Sequence, residues 1–109
     1  EERKLQRLFR NEEFVDLVVQ RLAEYQPIMA EIVERTTTDG SVENAYYTLY
    51  GDAMNRNFER WKIMGQQVWP NTPTLRDIKT VSGQIDYIND WFAKRYNLLC
   101  DWYQVDAGV

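Results

Sequence analysis

Apolar side chains recur every three or four residues through the last third of the chain. Ile85, Ile88, Phe92, Leu99 and Trp102 form the stripe, Trp91 and Leu98 widen it, and Arg95 interrupts it. That is the period of a helix, and no run alternates apolar with polar as a half-buried strand would. Thr80 is placed to cap this helix, which is expected to run to about Tyr103. A second stripe reads Tyr46, Tyr50, Ala53, Asn57, Trp61 and Met64. It predicts a helix from about Val42 to Met64, capped by Ser41 and stopped by Gly65. Gly51 lowers helix propensity by about 1 kcal/mol relative to Ala, so a closely packed neighbour is expected there.

The first half carries shorter signals. Leu5, Leu8 and Phe9 fall at helical spacing. Asn11 then suits an N-cap, with Glu12 and Glu13 in the first turn where carboxylates favour the helix dipole. Phe14, Leu17, Val18, Leu22 and Tyr25 make the next apolar face. Pro27 predicts a break there and the start of a new helix, because a proline inside a helix loses a hydrogen bond and clashes with the preceding turn. Ile28, Met29, Ile32 and Val33 continue to a turn at residues 36–40. Residues 66–79 hold two prolines without periodicity, and an ordered loop anchored by Val68, Trp69, Leu75 and Ile78 is expected. Together these readings predict an all-α protein. Its expected form is an antiparallel bundle of four to five helices with one long Trp-Pro-containing loop, a single domain over residues 1–109.

Charge and residue usage exclude several chemistries. Lys and Arg number 13 against 17 Asp and Glu, and no segment is strongly basic, so a nucleic-acid partner is not expected. Histidine is absent and Cys100 is the sole cysteine, which removes the commonest general base, imidazole triads and multi-thiolate metal sites. Cys100 lies in an apolar stretch and is expected to be an inert buried thiol. No apolar run approaches the ~20 residues of a membrane span, so no membrane insertion is expected. Glycines are scattered singly at 40, 51, 65, 83 and 108, without the cradle that phosphates need. Asp86 with Asp90, Glu12 with Asp16, and Glu31 with Glu34 are spaced to share a helix face. Each could grip a hard cation, but a solvated face is the expected reading. No catalytic, cofactor-binding or metal-binding residue is assigned.

Two polar residues within apolar stripes carry the most information. Asn57 and Arg95 are expected to pin the two long helices together or to hold the Trp69-Pro70 loop, since an arginine on a buried face must be paired. The competing reading has Arg95 binding an anion. Trp61, Trp91 and Trp102 share stripes with Leu, Ile and Phe and are expected in the core. Truncating Trp61 or Trp91 would then cost about 3–5 kcal/mol. Trp69 and Tyr103 are the aromatics expected to face a protein partner.

An ordered set of residues resembles a known family. Asn57-Phe58-Glu59-Arg60-Trp61, then Val68-Trp69-Pro70-Asn71, then Tyr87, Trp91, Arg95, Leu99 and Trp102 look like the C-terminal helical region of the CotH kinase (spore coat protein H-like) family. Leu8-Phe9-Arg10-Asn11 and Phe14 match the entry into that region, and the likeness is weakest over residues 26–45. The resemblance implies a parent that uses ATP and a divalent metal to phosphorylate protein on a spore coat or cell surface. It places the phosphate-contacting lysine and metal-binding aspartates in lobes preceding this segment. Nothing in residues 1–109 matches those motifs, and a start at Glu1 without methionine is what a segment of a longer chain would have.

Two functions are therefore carried forward. One is a non-catalytic helical subdomain that packs against the parent's catalytic lobes through an apolar patch including Leu5, Leu8 and Phe9. The other is a stand-alone helical protein-interaction module using exposed aromatics.

Overall fold

The computed structural model describes residues 2–108, and among them it is all helical. Five helices follow one another: α1 (Glu2–Leu8), α2 (Glu12–Arg35), α3 (Tyr46–Arg60), α4 (Pro73–Asp77) and α5 (Val81–Trp102). The protein is an all-α helical bundle in which α5 is the shared element, packing against both α2 and α3.

Polar cross-links set the direction of the α2–α5 pair. Asn89 donates from Nδ2 to the Val33 carbonyl at 2.6 Å and to the Thr36 hydroxyl at 2.9 Å. Thr38 donates to Asp86 at 2.6 Å, and the Tyr96 hydroxyl donates to the Leu22 carbonyl. Later residues of α2 thus meet earlier residues of α5, so the two run antiparallel. Both helices begin with the caps expected of them. Asn11 accepts from the Phe14 N–H at 3.3 Å, and Thr80 accepts from the Gly83 N–H at 3.1 Å.

Pro27 does not break α2, which runs through it from Glu12 to Arg35. Contacts with α5 lie on both sides of the proline, at Leu22 and at Val33. These contacts on both sides offset part of the roughly 3 kcal/mol that an internal proline costs.

The third helix is shorter than its stripe predicts. Ser41 is no cap: its N–H donates to the Asp39 carboxylate at 2.9 Å within the turn, where Gly40 takes φ +82°. Residues 41–45 are instead held by α2. Arg35 donates to the Asn44 carbonyl at 3.1 Å and lies 4.2 Å over the Tyr46 ring. The C-terminal end comes at Arg60, before Gly65. The extended Trp61 turns Ile63 and Met64 toward the same cleft as Val81 and Ile85, away from the path of a continued helix. Within the predicted 66–79 loop, Pro73–Asp77 forms the short α4, with proline at its start. Gln84 ties it to α5 by donating to the Leu75 and Ile78 carbonyls at 2.9 and 3.0 Å.

The molecule is thin and open. It measures 51 × 33 × 16 Å, with a radius of gyration of 17.8 Å, against roughly 13 Å for a compact chain of this length. Its accessible surface is 8622 Å² at a mass of 13.0 kDa, roughly 2,300 Å² more than a compact monomer of that mass exposes. Few of the described side chains are buried: Thr36, Ala45, Val81, Tyr96 and Cys100. No described helix is long and apolar enough to cross a membrane.

Candidate docking surface

On α3 and α5 the inward stripe leaves several of the largest apolar residues outside. On α3, Tyr47, Gly51, Met54 and Phe58 are enclosed or half-buried, while Tyr46, Tyr50, Ala53, Asn57 and Trp61 are exposed. Gly51 is closely covered within its own helix: a Cβ there would sit 3.1 Å from the Tyr47 ring, which would have to shift slightly. On α5 the inward stripe is Ile85, Asn89, Phe92, Tyr96, Leu99 and Cys100. Tyr87, Ile88, Trp91, Arg95, Leu98 and Trp102 remain exposed.

The tryptophans are therefore not core. Trp61 is 59% exposed, Trp91 51% and Trp102 64%. An edge-on contact with Phe92 at 5.4 Å gives Trp91 partial cover, and the Arg60 guanidinium lies 5.3 Å from the Trp61 ring. Nor do Asn57 and Arg95 form a network. Both are exposed on separate helices, and among the described residues Arg95 has no carboxylate within ion-pair distance. The junction expected of them is made by Asn89, Thr36 and Tyr96. Asn89 falls on the 85–89–92–96 spacing, so the signal was present, but larger apolar residues outweighed it one position away.

Two clefts flank Arg95. One, of about 280 Å³, is lined by Tyr87, Asp90, Trp91, Lys94, Arg95 and Leu98. The other, of about 230 Å³, lies between α2 and α5 and is walled mainly by Leu22, Tyr25, Met29, Phe92 and Leu99. Trp91 and Arg95 border both. Asp90 is paired with Lys94 at 2.8 Å, and among the described residues no carboxylate lies within ion-pair distance of Arg95.

A third cleft, of about 360 Å³, opens where α3, α4 and α5 converge, with Phe58, Ile63, Met64, Val68, Leu75, Val81 and Ile85 among its walls. Val68 and Trp69 do not anchor the loop. Val68 is exposed at the cleft's rim, and Trp69, joined to Pro70 by a cis bond, is 89% exposed. Leu75 and Ile78 are half-buried, as anchors should be.

At the other end, Leu5, Leu8 and Phe9 are exposed on and just after α1. Phe9 meets Phe14 edge-on at 5.4 Å and stacks with the half-buried Tyr103 at 6.5 Å. These contacts bring Phe9 and Tyr103 together and moor α1 to the start of α2 and the end of α5.

Some titratable groups are tied up in surface contacts. Asp86 accepts from Thr38, and Glu31 lies 3.9 Å from Arg35. Among the described residues no three of His, Cys, Asp and Glu gather where they could hold a metal ion. Burial, assisted by the neighbouring Cys100 thiol, pushes the Tyr96 hydroxyl up to about 12. With its proton retained, the hydroxyl donates to Leu22 as a structural clasp. Comparison with family models, with curated proteins and with solved structures finds no match to this chain.

Proposed function

We propose that this chain is a non-catalytic helical docking subdomain whose apolar faces are covered by other protein. The residue pattern points to the catalytic lobes of a longer, CotH-like, ATP-dependent kinase-like protein of a spore coat or cell surface. The observation that carries the docking role is the surface excess of roughly 2,300 Å² over a compact monomer. It accompanies tryptophans that are half or more exposed on α5 and at the end of α3. Isolated apolar side chains on a surface are ordinary; contiguous stripes of Tyr, Trp and Leu mark contact sites. Obligate interfaces bury roughly 1,000–2,500 Å² on each partner, and the excess falls in that range.

Hydroxyl-radical footprinting tests the reading. In the intact gene product, Trp61, Trp91 and Trp102 should be oxidised several-fold more slowly than in the isolated 109-residue chain. Equal rates would remove the docking role. Calorimetry on the isolated chain should give no heat with Mg-ATP, and clear saturable binding would overturn the non-catalytic assignment.

The second reading is a stand-alone interaction module. Trp69 favours it, because a ring 89% exposed on the 61–72 loop is suited to anchor in a partner's pocket. A native product of about 13 kDa would make this the leading account.

A further inference from the structure

We infer that the α5 face running from Tyr87 to Trp102 receives an amphipathic helix, supplied by protein outside these 109 residues, with a carboxylate that pairs with Arg95. This inference rests on the docking role and names the partner's chemistry. The stripe Tyr87, Trp91, Arg95, Leu98, Trp102 extends about 22 Å along the α5 axis, the length of about four turns of a facing helix. A helix offers no free backbone edge for a strand to extend, so the complement is side-chain packing in a groove.

The charge requirement follows from burial. Covering Trp91 and Leu98 with an apolar face would desolvate the guanidinium between them, and an unpaired buried charge is strongly destabilising. Asp90 is occupied by Lys94 at 2.8 Å, and no described carboxylate reaches Arg95. The carboxylate must therefore arrive with the partner. Clefts of about 280 and 230 Å³ on either side of Arg95 provide seats for apolar side chains flanking that carboxylate. Its planar fork of donors suits a two-point grip on a carboxylate.

Two synthetic amphipathic helical peptides, identical except for a central Glu or Gln on the Leu-rich face, provide the probe. Titrated against the 109-residue chain by NMR, the Glu peptide should bind roughly tenfold more tightly, with shifts at Tyr25, Trp91 and Leu98. Arg95→Met should abolish the difference while leaving helical circular dichroism unchanged, because Arg95 makes no ion pair within the described domain. Equal affinities, no binding to this face, or shifts confined to the Trp69 cleft would overturn the inference. So would a sedimenting dimer that Trp91→Ala returns to monomer, which would assign the face to a second copy. Should Trp91 and Trp102 be protected in the intact product while the two peptides bind alike, the docking role stands and the ion pair fails.

Discussion

Asn89 of α5 and Thr36, at the end of α2, are joined by a 2.9 Å hydrogen bond from carboxamide to hydroxyl. The same Asn89 nitrogen donates to the Val33 carbonyl at 2.6 Å, and the Thr36 hydroxyl donates to the Ile32 carbonyl at 2.7 Å. One side chain thus satisfies the closing turn of a neighbouring helix and fixes where the two helices cross.

Asn89→Ala should cost about 1–3 kcal/mol, the range for leaving a half-buried polar junction unpaired. Chemical denaturation, with unchanged steepness of the transition, measures it. A loss below 0.5 kcal/mol, a value typical of ordinary surface changes, would show that the junction does not support the fold.

Tryptophan truncations should be mild in the isolated chain. Trp91→Ala and Trp102→Ala are each expected to cost about 1 kcal/mol or less, as surface changes do. Phe58→Ala, which strips the wall of the α3–α5 cleft, should cost about 2 kcal/mol or more. Losses of 3 kcal/mol at Trp91 would return it to the core.

Arg95→Met and Asn57→Ala should each change stability by less than about 0.5 kcal/mol. Thermal melts of the two variants check this, and a drop of several degrees for either would reveal a structural partner.

Gly83 and Gly51 separate two kinds of glycine. A Cβ at Gly83 would lie 2.8 Å from both the Ile78 methyl and the Thr80 cap oxygen. Gly83→Ala should therefore destabilise, although alanine is worth about 1 kcal/mol more than glycine in a helix. At Gly51 the obstacle is the Tyr47 ring at 3.1 Å, so Gly51→Ala should gain stability once Tyr47→Ala clears that space. Paired melts of the single and double variants read both effects.

Alkaline stability should report Tyr96. Its folded-state value of about 12 exceeds the ordinary tyrosine value of about 10, so the folded chain holds a proton that the unfolded chain releases. The contribution is complete below pH ~10 and is lost as pH rises toward ~12. Tyr96→Phe should flatten the decline in denaturant midpoint across that window. An equally steep decline in the variant would assign it to other groups.

Helix content and both working caps were legible because Asn11, Thr80 and the 3–4 spacing are local signals. Which apolar residues turn inward was legible only in part: Phe14, Val18, Leu22, Ile85, Phe92 and Leu99 are half-buried on the expected stripes, whereas Trp61, Trp91 and Trp102 are exposed. Trp91, Leu98 and Trp102 outrank Asn89 and Tyr96 in apolar size, and a reading by hydrophobicity places the larger set inside. Here they face outward and are only partly covered. Pro27 misled for a related reason: its local penalty is legible, but the α5 contacts on either side of it join residues 56 and 74 apart in sequence. Arg95 was visible as an anomaly within an apolar stripe, and only the structure shows that it lies exposed rather than paired in the core.

A slab only 16 Å thick leaves α5 accessible from above and below along most of its length. Such a chain has already left hydrated much of the surface that melting would otherwise expose. Its heat-capacity increment on unfolding should fall below the usual ~12–15 cal/mol/K per residue, and the deficit should reappear as a negative increment when the partner binds. Folding still removes most of the chain's surface from water, so the deficit in heat capacity measures only the faces that stay hydrated.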